Sequence, residues 1–151
     1  MSSIANLIAF DGAATPVSHT FLPINILDSG SETVALYRES LASVPVYGQP
    51  TVKMSLGKRS KNGVYRTLVQ VDVPVMEAIL NQNAAGYTAA PKVAHTVSDR
   101  FEQFAHERSD ITVRRLERQL LVNIAGGIAM TVTPVTTGPA PELIDQLITP
   151  T

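Results

Sequence analysis

The chain has 151 residues, 44% of them apolar and 17% charged, which suits one globular domain with a sizeable core and argues against disorder. A net charge of −1 and a pI near 6.3 exclude a uniformly basic protein, so anion binding would need locally segregated charge. The absence of cysteine excludes disulfides and thiolate chemistry. No basic leader precedes an apolar core and no run approaches a membrane span, so the chain reads as soluble, unprocessed and not secreted, with no membrane partner.

The first elements predict an N-terminal β-hairpin within residues 1–27. Residues 4–10 are apolar apart from Asn6, Asp11-Gly12 is a turn signal, and residues 17–22 return as a strand broken by Pro23. Asp28-Ser29-Gly30-Ser31 marks a second turn, and residues 33–40 form another short strand. Pro45 and Pro50 punctuate the stretch before residue 51.

Residues 51–76 carry the strongest pattern. Val52, Met54 and Leu56 alternate with Thr51, Lys53 and Ser55. After Lys61-Asn62-Gly63, Tyr65, Thr67, Val69, Val71 and Val73 alternate with Arg66, Leu68, Gln70 and Asp72. Period-two alternation marks strands with one buried face, and Asn-Gly favours a tight turn. The opposite face is basic: between Glu39 and Asp72 lie Lys53, Lys58, Arg59, Lys61 and Arg66 with no acid. A cationic face bearing hydroxyls and amides suits a polyanion, although on this stretch alone an ordinary solvated hairpin competes with that reading.

Residues 81–91 are small and polar and predict a loop. Residues 92–106 fit two templates. As a strand they place Ala94, Thr96, Ser98, Arg100 and Glu102 on one side; as a helix they start at Ser98 and stack Phe101 on Phe104, and periodicity alone slightly favours the helix. Residues 109–124 read as a helix with Ser109 as N-cap, Asp110 at the positive end and Gly126-Gly127 as stop. Its apolar stripe (Val113, Leu116, Leu120, Ile124) should lie on the apolar sheet face, with Arg114, Arg115 and Arg118 off the stripe. A stretch rich in Pro, Thr and Gly leads to a last helix over 141–148, with Pro141 in its first turn.

Catalytic chemistry is not indicated. His19, His95 and His106 are the only bases that titrate near neutrality, and none stands in metal-ligand spacing. There is no phosphate-binding Gly-Lys-Ser/Thr loop and no serine nucleophile elbow. Glu77, Asp99 and Glu102 read as surface carboxylates. No enzyme activity, metal, cofactor or small-molecule substrate is expected.

The order of hairpin, antiparallel strands and two C-terminal helices, with a basic polar sheet face, resembles the coat proteins of the single-stranded RNA bacteriophages, the levivirus family. Leu7-Ile8-Ala9-Phe10-Asp11-Gly12 looks like the opening of the family's hairpin. Residues 51–74 match best, with a Thr-Val-x-x-Ser strand, a basic turn, then Tyr-Arg and Val-Asp-Val-Pro. Phe101-Glu102-Gln103-Phe104 falls where the family's last long strand ends, which tips residues 92–106 toward strand. Thr112-Val113-Arg114, Leu120-Leu121 and Leu143-Ile144-Asp145-Gln146-Leu147 resemble its two helices. The sequence departs from better-known members by an insert over 128–138 and by an 81–90 loop without cysteines.

The resemblance implies an α+β coat-protein fold over 1–151: hairpin 1–27, sheet 33–106, and helices within 109–148 with the insert. It also implies an intertwined homodimer, assembly of dimers into a T=3-type icosahedral shell, and a virion subunit made and assembled in the bacterial host cytoplasm. The 81–91 loop would lie at the symmetry axes. In the family the inner sheet face grips a hairpin of the genomic single-stranded RNA, repressing replicase translation and marking the RNA for packaging. Carried onto matching positions, that face is Thr51, Lys53, Ser55, Arg66, Gln70, Thr96, Ser98 and Arg100, along with Leu68, Asp72 and Ala94. Lys53 and Arg66 suit phosphates, Ser55 suits a base, and Thr96 and Ser98 suit sugar or base edges. The alternatives are a cellular RNA-binding or RNA-chaperone domain using the same basic sheet without a shell, and a small hydrolase or isomerase, which would need a pocket of converging ionisable groups.

Overall fold

The alternating runs become strands in the order in which they occur. A computed structural model describes residues 4–78, 90–127, 133 and 135–151. Most of the expected 81–91 loop and half of the 128–138 insert lie outside these residues. Strands β1 (Leu7–Phe10), β2 (Ser18–Asp28), β3 (Glu32–Glu39), β4 (Thr51–Gly57), β5 (Val64–Met76) and β6 (Val93–His106) form one six-stranded antiparallel sheet ordered as in the sequence. Helices α1 (Ile111–Ala125) and α2 (Pro139–Gln146) come after the sheet.

Pro23 does not end β2. The strand runs through it to Asp28, with a register shift between Pro23 and Asn25, because a bulge tolerates a residue that cannot donate to the ladder. Residues 93–106 are strand rather than helix, paired along β5 from Val64↔His106 to Met76↔Val93; tertiary pairing overrides the local period. Between β4 and β5 the turn closes through a Gly63 N–H bond to the Ser60 carbonyl, and of the Asn62-Gly63 pair only Gly63 takes a positive φ, 74°.

The core forms where the alternation predicts it. Phe21, Ala35, Tyr37, Val52 and Met54 share one sheet face and bury against Leu143 of α2, with Val69 and Val71 packed beside them. The second helix therefore covers the sheet, starting at Pro139 rather than Pro141 and closing with Leu147 in the left-handed region at φ 58°. The chain ends join here: the Ile4 N–H donates to the Thr151 carbonyl at 2.9 Å, and Pro150 is fully buried.

The first helix departs from expectation in two ways. Its N-cap is Asp110, while the Ser109 hydroxyl donates to the His106 carbonyl at 2.7 Å. Its apolar stripe does not lie on the subunit's own sheet: Leu116 is 58% and Leu120 53% exposed, and Ile124 76%. The side that faces inward is the basic one. Asp145 of α2, fully buried, accepts from Arg118 at 2.8 and 2.9 Å and from Arg115 at 3.2 Å, and its carbonyl accepts from Arg114 at 2.8 Å. Three arginines from α1 thus converge on one residue, two on its carboxylate and one on its carbonyl, and Gln103 of β6 donates to Glu117 at 2.6 Å.

The hairpin is held by a second ionic device. His19 Nδ1 lies 2.8 Å from the buried Glu39 carboxylate, and Nε2 lies 3.7 Å from Asp11. A neutral imidazole has one donor, so only the imidazolium serves both acids. The Glu39 hydrogen bond is the main cause that raises the His19 pKa above 6.5, and backbone N–H groups of Val17 and Ala13 hold the Asp11 carboxyl below its ordinary value. A raised histidine contributes stability that is fully present below its ordinary value and lost as pH climbs through the raised one. Hydrogen exchange in β1 and β2, corrected for intrinsic rate, should accelerate as pH climbs past 6.5, and His19→Gln should flatten that dependence. Equal pH dependence in both proteins would count against the clamp.

Candidate nucleic-acid interface

The face away from α2 is set by register. Thr51, Asp72 and Ser98 form one row across β4, β5 and β6; Lys53, Gln70 and Arg100 form the next; Ser55, Leu68 and Glu102 form the third. Neighbouring strands lie about 4.8 Å apart, so each row is a short, flat line of side chains. Arg66 stands opposite Phe104, and Thr96 opposite Pro74, at the two ends. All eight expected contact residues therefore share one surface.

That surface is less cationic than the sequence suggests. Acids distant in the chain arrive on adjacent strands: Glu32 lies 3.6 Å from Lys53, Glu102 lies 2.5 Å from Arg66, and Glu107 lies 2.5 Å from Arg59. The hydrogen bond from Arg66 holds the Glu102 carboxyl below its usual range, and Arg59 does the same for Glu107. Gln70 donates to both oxygens of Asp72 at 2.8 Å, and Ser98 donates to the same carboxylate at 2.5 Å. Asp72 is thus the polar hub of its row, which no strand shows alone. Ser55 is only 2% exposed, and Val34 and Leu68 beside it are also buried. Thr96, Ser98 and Arg100 are exposed. The accessible groups lie mainly on β6 and at the basic turn.

The three histidines do not converge. His19 belongs to the hairpin clamp, His95 stands on β6 opposite Val75, and His106 accepts from the Arg108 N–H at 3.1 Å. Among the described residues no group of histidines and carboxylates is arranged to hold a metal ion, and no helix is long and apolar enough to cross a membrane.

Comparison with known proteins agrees with this architecture. A sequence model of levivirus coat proteins matches residues 2–139. The capsid protein of Pseudomonas phage PRR1 is 38% identical over 77 residues, covering 51% of this chain and 53% of that protein, so the match spans about half of the relative. The virus-like particle of bacteriophage EMS014 superposes with a TM-score of 0.68 at 28% identity, covering 99% of each chain. The particle of Beihai levi-like virus 21 gives 0.65 at 26% identity, covering 88% of this chain and 98% of that one. The particle of bacteriophage ESE058, at 22% identity and a TM-score of 0.69, shares the fold. A curled six-stranded sheet with two C-terminal helices, matched over nearly its whole length, places the chain in the levivirus coat protein family, whose members are structural coat proteins rather than enzymes.

Proposed function

We propose that the protein is the capsid subunit of a single-stranded RNA phage, folding as an intertwined dimer, assembling into an icosahedral T=3-type shell in the host cytoplasm, and binding a genomic RNA hairpin as translational repressor and packaging signal. The observation that carries the dimer is the outward apolar stripe of α1: among the described residues Val113, Leu116, Leu120 and Ile124 are each more than half exposed, and a greasy helix face of that kind needs another surface to cover it. The outer edge of β6, which pairs with no further strand among the described residues, supports the same reading. It is a 14-residue terminal strand, exposed on both faces from Ala94 to Arg100, and an unpaired edge of that length is a liability that pairing with a second copy removes.

Electron microscopy of the purified recombinant protein tests the shell directly. Closed particles are expected, whereas a homogeneous monomer or dimer would favour a cellular RNA-binding domain.

The RNA assignment rests on the shared face of Thr51, Lys53, Ser55, Arg66, Gln70, Thr96, Ser98 and Arg100. Lys58 and Lys61 stand at the strand end, where phosphates of any packaged RNA are within reach. Lys61→Ala should weaken all RNAs alike and reduce the salt slope of binding by about 0.7 per lost phosphate contact. Thr96→Ala, in the exposed part of the face, should instead erode preference among hairpins drawn from a pool of randomised loops. Unchanged affinity after replacing Lys53, Ser55 and Arg66 together with alanine would remove this face as the site.

A further inference from the structure

On the sheet face away from α2, the acids fall where they govern access. Lys53 stands opposite Leu36 and Glu32 opposite Gly57, so the row between them is Val34–Ser55. The Lys53–Glu32 ion pair, 3.6 Å long, therefore spans the position of Ser55. Arg66 stands opposite Phe104 and Glu102 opposite Leu68, so the 2.5 Å Arg66–Glu102 pair runs diagonally beside Leu68. The two pairs flank Ser55, Val34 and Leu68, which are buried although they lie on the face away from α2. Neither pair is local in sequence.

We infer that Glu32 and Glu102 are specificity-determining residues for RNA: each occupies a cation that a phosphate must win, and the Lys53–Glu32 pair also roofs the one hydroxyl in its row. The inference rests on the RNA-binding reading above. A guanidinium or ammonium exchanges a carboxylate for a phosphate at little gain, since both are charge-assisted contacts. The released carboxylate then stays beside the phosphate and repels it. Any RNA that offers phosphates alone meets this opposition. A folded RNA that opens the Lys53–Glu32 pair gains the Ser55 hydroxyl as a further contact and offsets it. Discrimination thus comes from weakening the wrong partner as well as from binding the right one.

The test uses the full chain in unassembled form, with an oligouridylate single strand as the generic probe and a pool of hairpins with randomised loops as the selective one. Glu32→Gln and Glu102→Gln keep side-chain shape at half-buried positions, and particle formation reports that each variant folds. Each variant should bind oligouridylate several-fold more tightly, with the salt slope steeper by about 0.7 per released cation, and should select a broader set of hairpins from the pool. A merely structural role for the two acids would leave the salt slope unchanged. Oligouridylate affinity and slope equal to wild type, in a wild type that binds RNA, would overturn the inference and leave the RNA reading standing. Absence of binding by wild type and variants alike would overturn both.

Discussion

Asp145→Ala should be among the most damaging single substitutions in the chain. The carboxylate is fully buried and holds two guanidiniums, with that of Arg118 almost buried as well. Breaking a buried pair by removing one partner typically costs about 3–5 kcal/mol, because the remaining charge is left uncompensated. Nothing else in the described residues fastens α1 to α2 so tightly, so the loss should free α1 and lower both melting temperature and particle yield. Acid titration gives an independent check. Burial pushes the Asp145 carboxyl up, but the hydrogen bonds and charges of Arg118 and Arg115 outweigh it and leave it below 3.8. A depressed acid contributes stability that is present above its ordinary value and lost as pH falls through the depressed one. The gap in stability between wild type and Asp145→Asn should therefore be full near neutrality and close in strong acid. A gap that does not change with pH would mean that the carboxylate's charge is not what matters.

Leu120→Ala separates an isolated subunit from an intertwined one. Within a single chain Leu120 is 53% exposed, and substitutions at such positions usually fall within about 0.5 kcal/mol. Covered by a partner, the same truncation should cost about 2–5 kcal/mol, as it does at a buried site. Sedimentation and particle counts should show assembly falling sharply, more so when Leu116→Ala is added. A double variant that assembles like wild type would argue that the stripe of α1 stays in solvent.

The sequence made the strands legible because their signals are local. Alternation over 51–56 and 65–73 assigns each side chain to a face, and register confirms that assignment residue by residue. What escaped was non-local. The cationic face was overestimated because Glu32, Glu102 and Glu107 are 21 or more positions from the bases they meet, and only pairing brings them together. Ser55 read as a solvent-facing hydroxyl for the same reason. Pro23 misled because a proline is compatible with a strand when a bulge absorbs it. Asp145 carried a faint signal, an acid directly after the apolar pair Leu143-Ile144 in the last helix, with Arg114, Arg115 and Arg118 spaced to share one side of another. The apolar stripe of α1 was recognised correctly, but its expected partner was the subunit's own sheet, a role that α2 takes instead.

The strand order has a consequence for how the chain folds during synthesis. Each of the six strands pairs only with its neighbours in sequence, so every strand after the first emerges when its earlier partner has already been made. Strand order therefore permits the sheet to grow in one direction from β1 to β6. The helices emerge last, when β6 is the edge most recently added to the sheet. Two sets of contacts run against this order: Leu143 of α2 buries against Phe21, Ala35 and Tyr37, and the Ile4 N–H donates to the Thr151 carbonyl. The sheet therefore precedes its cover, which leaves a chain with a formed sheet and an outward α1 at the moment when another copy is needed.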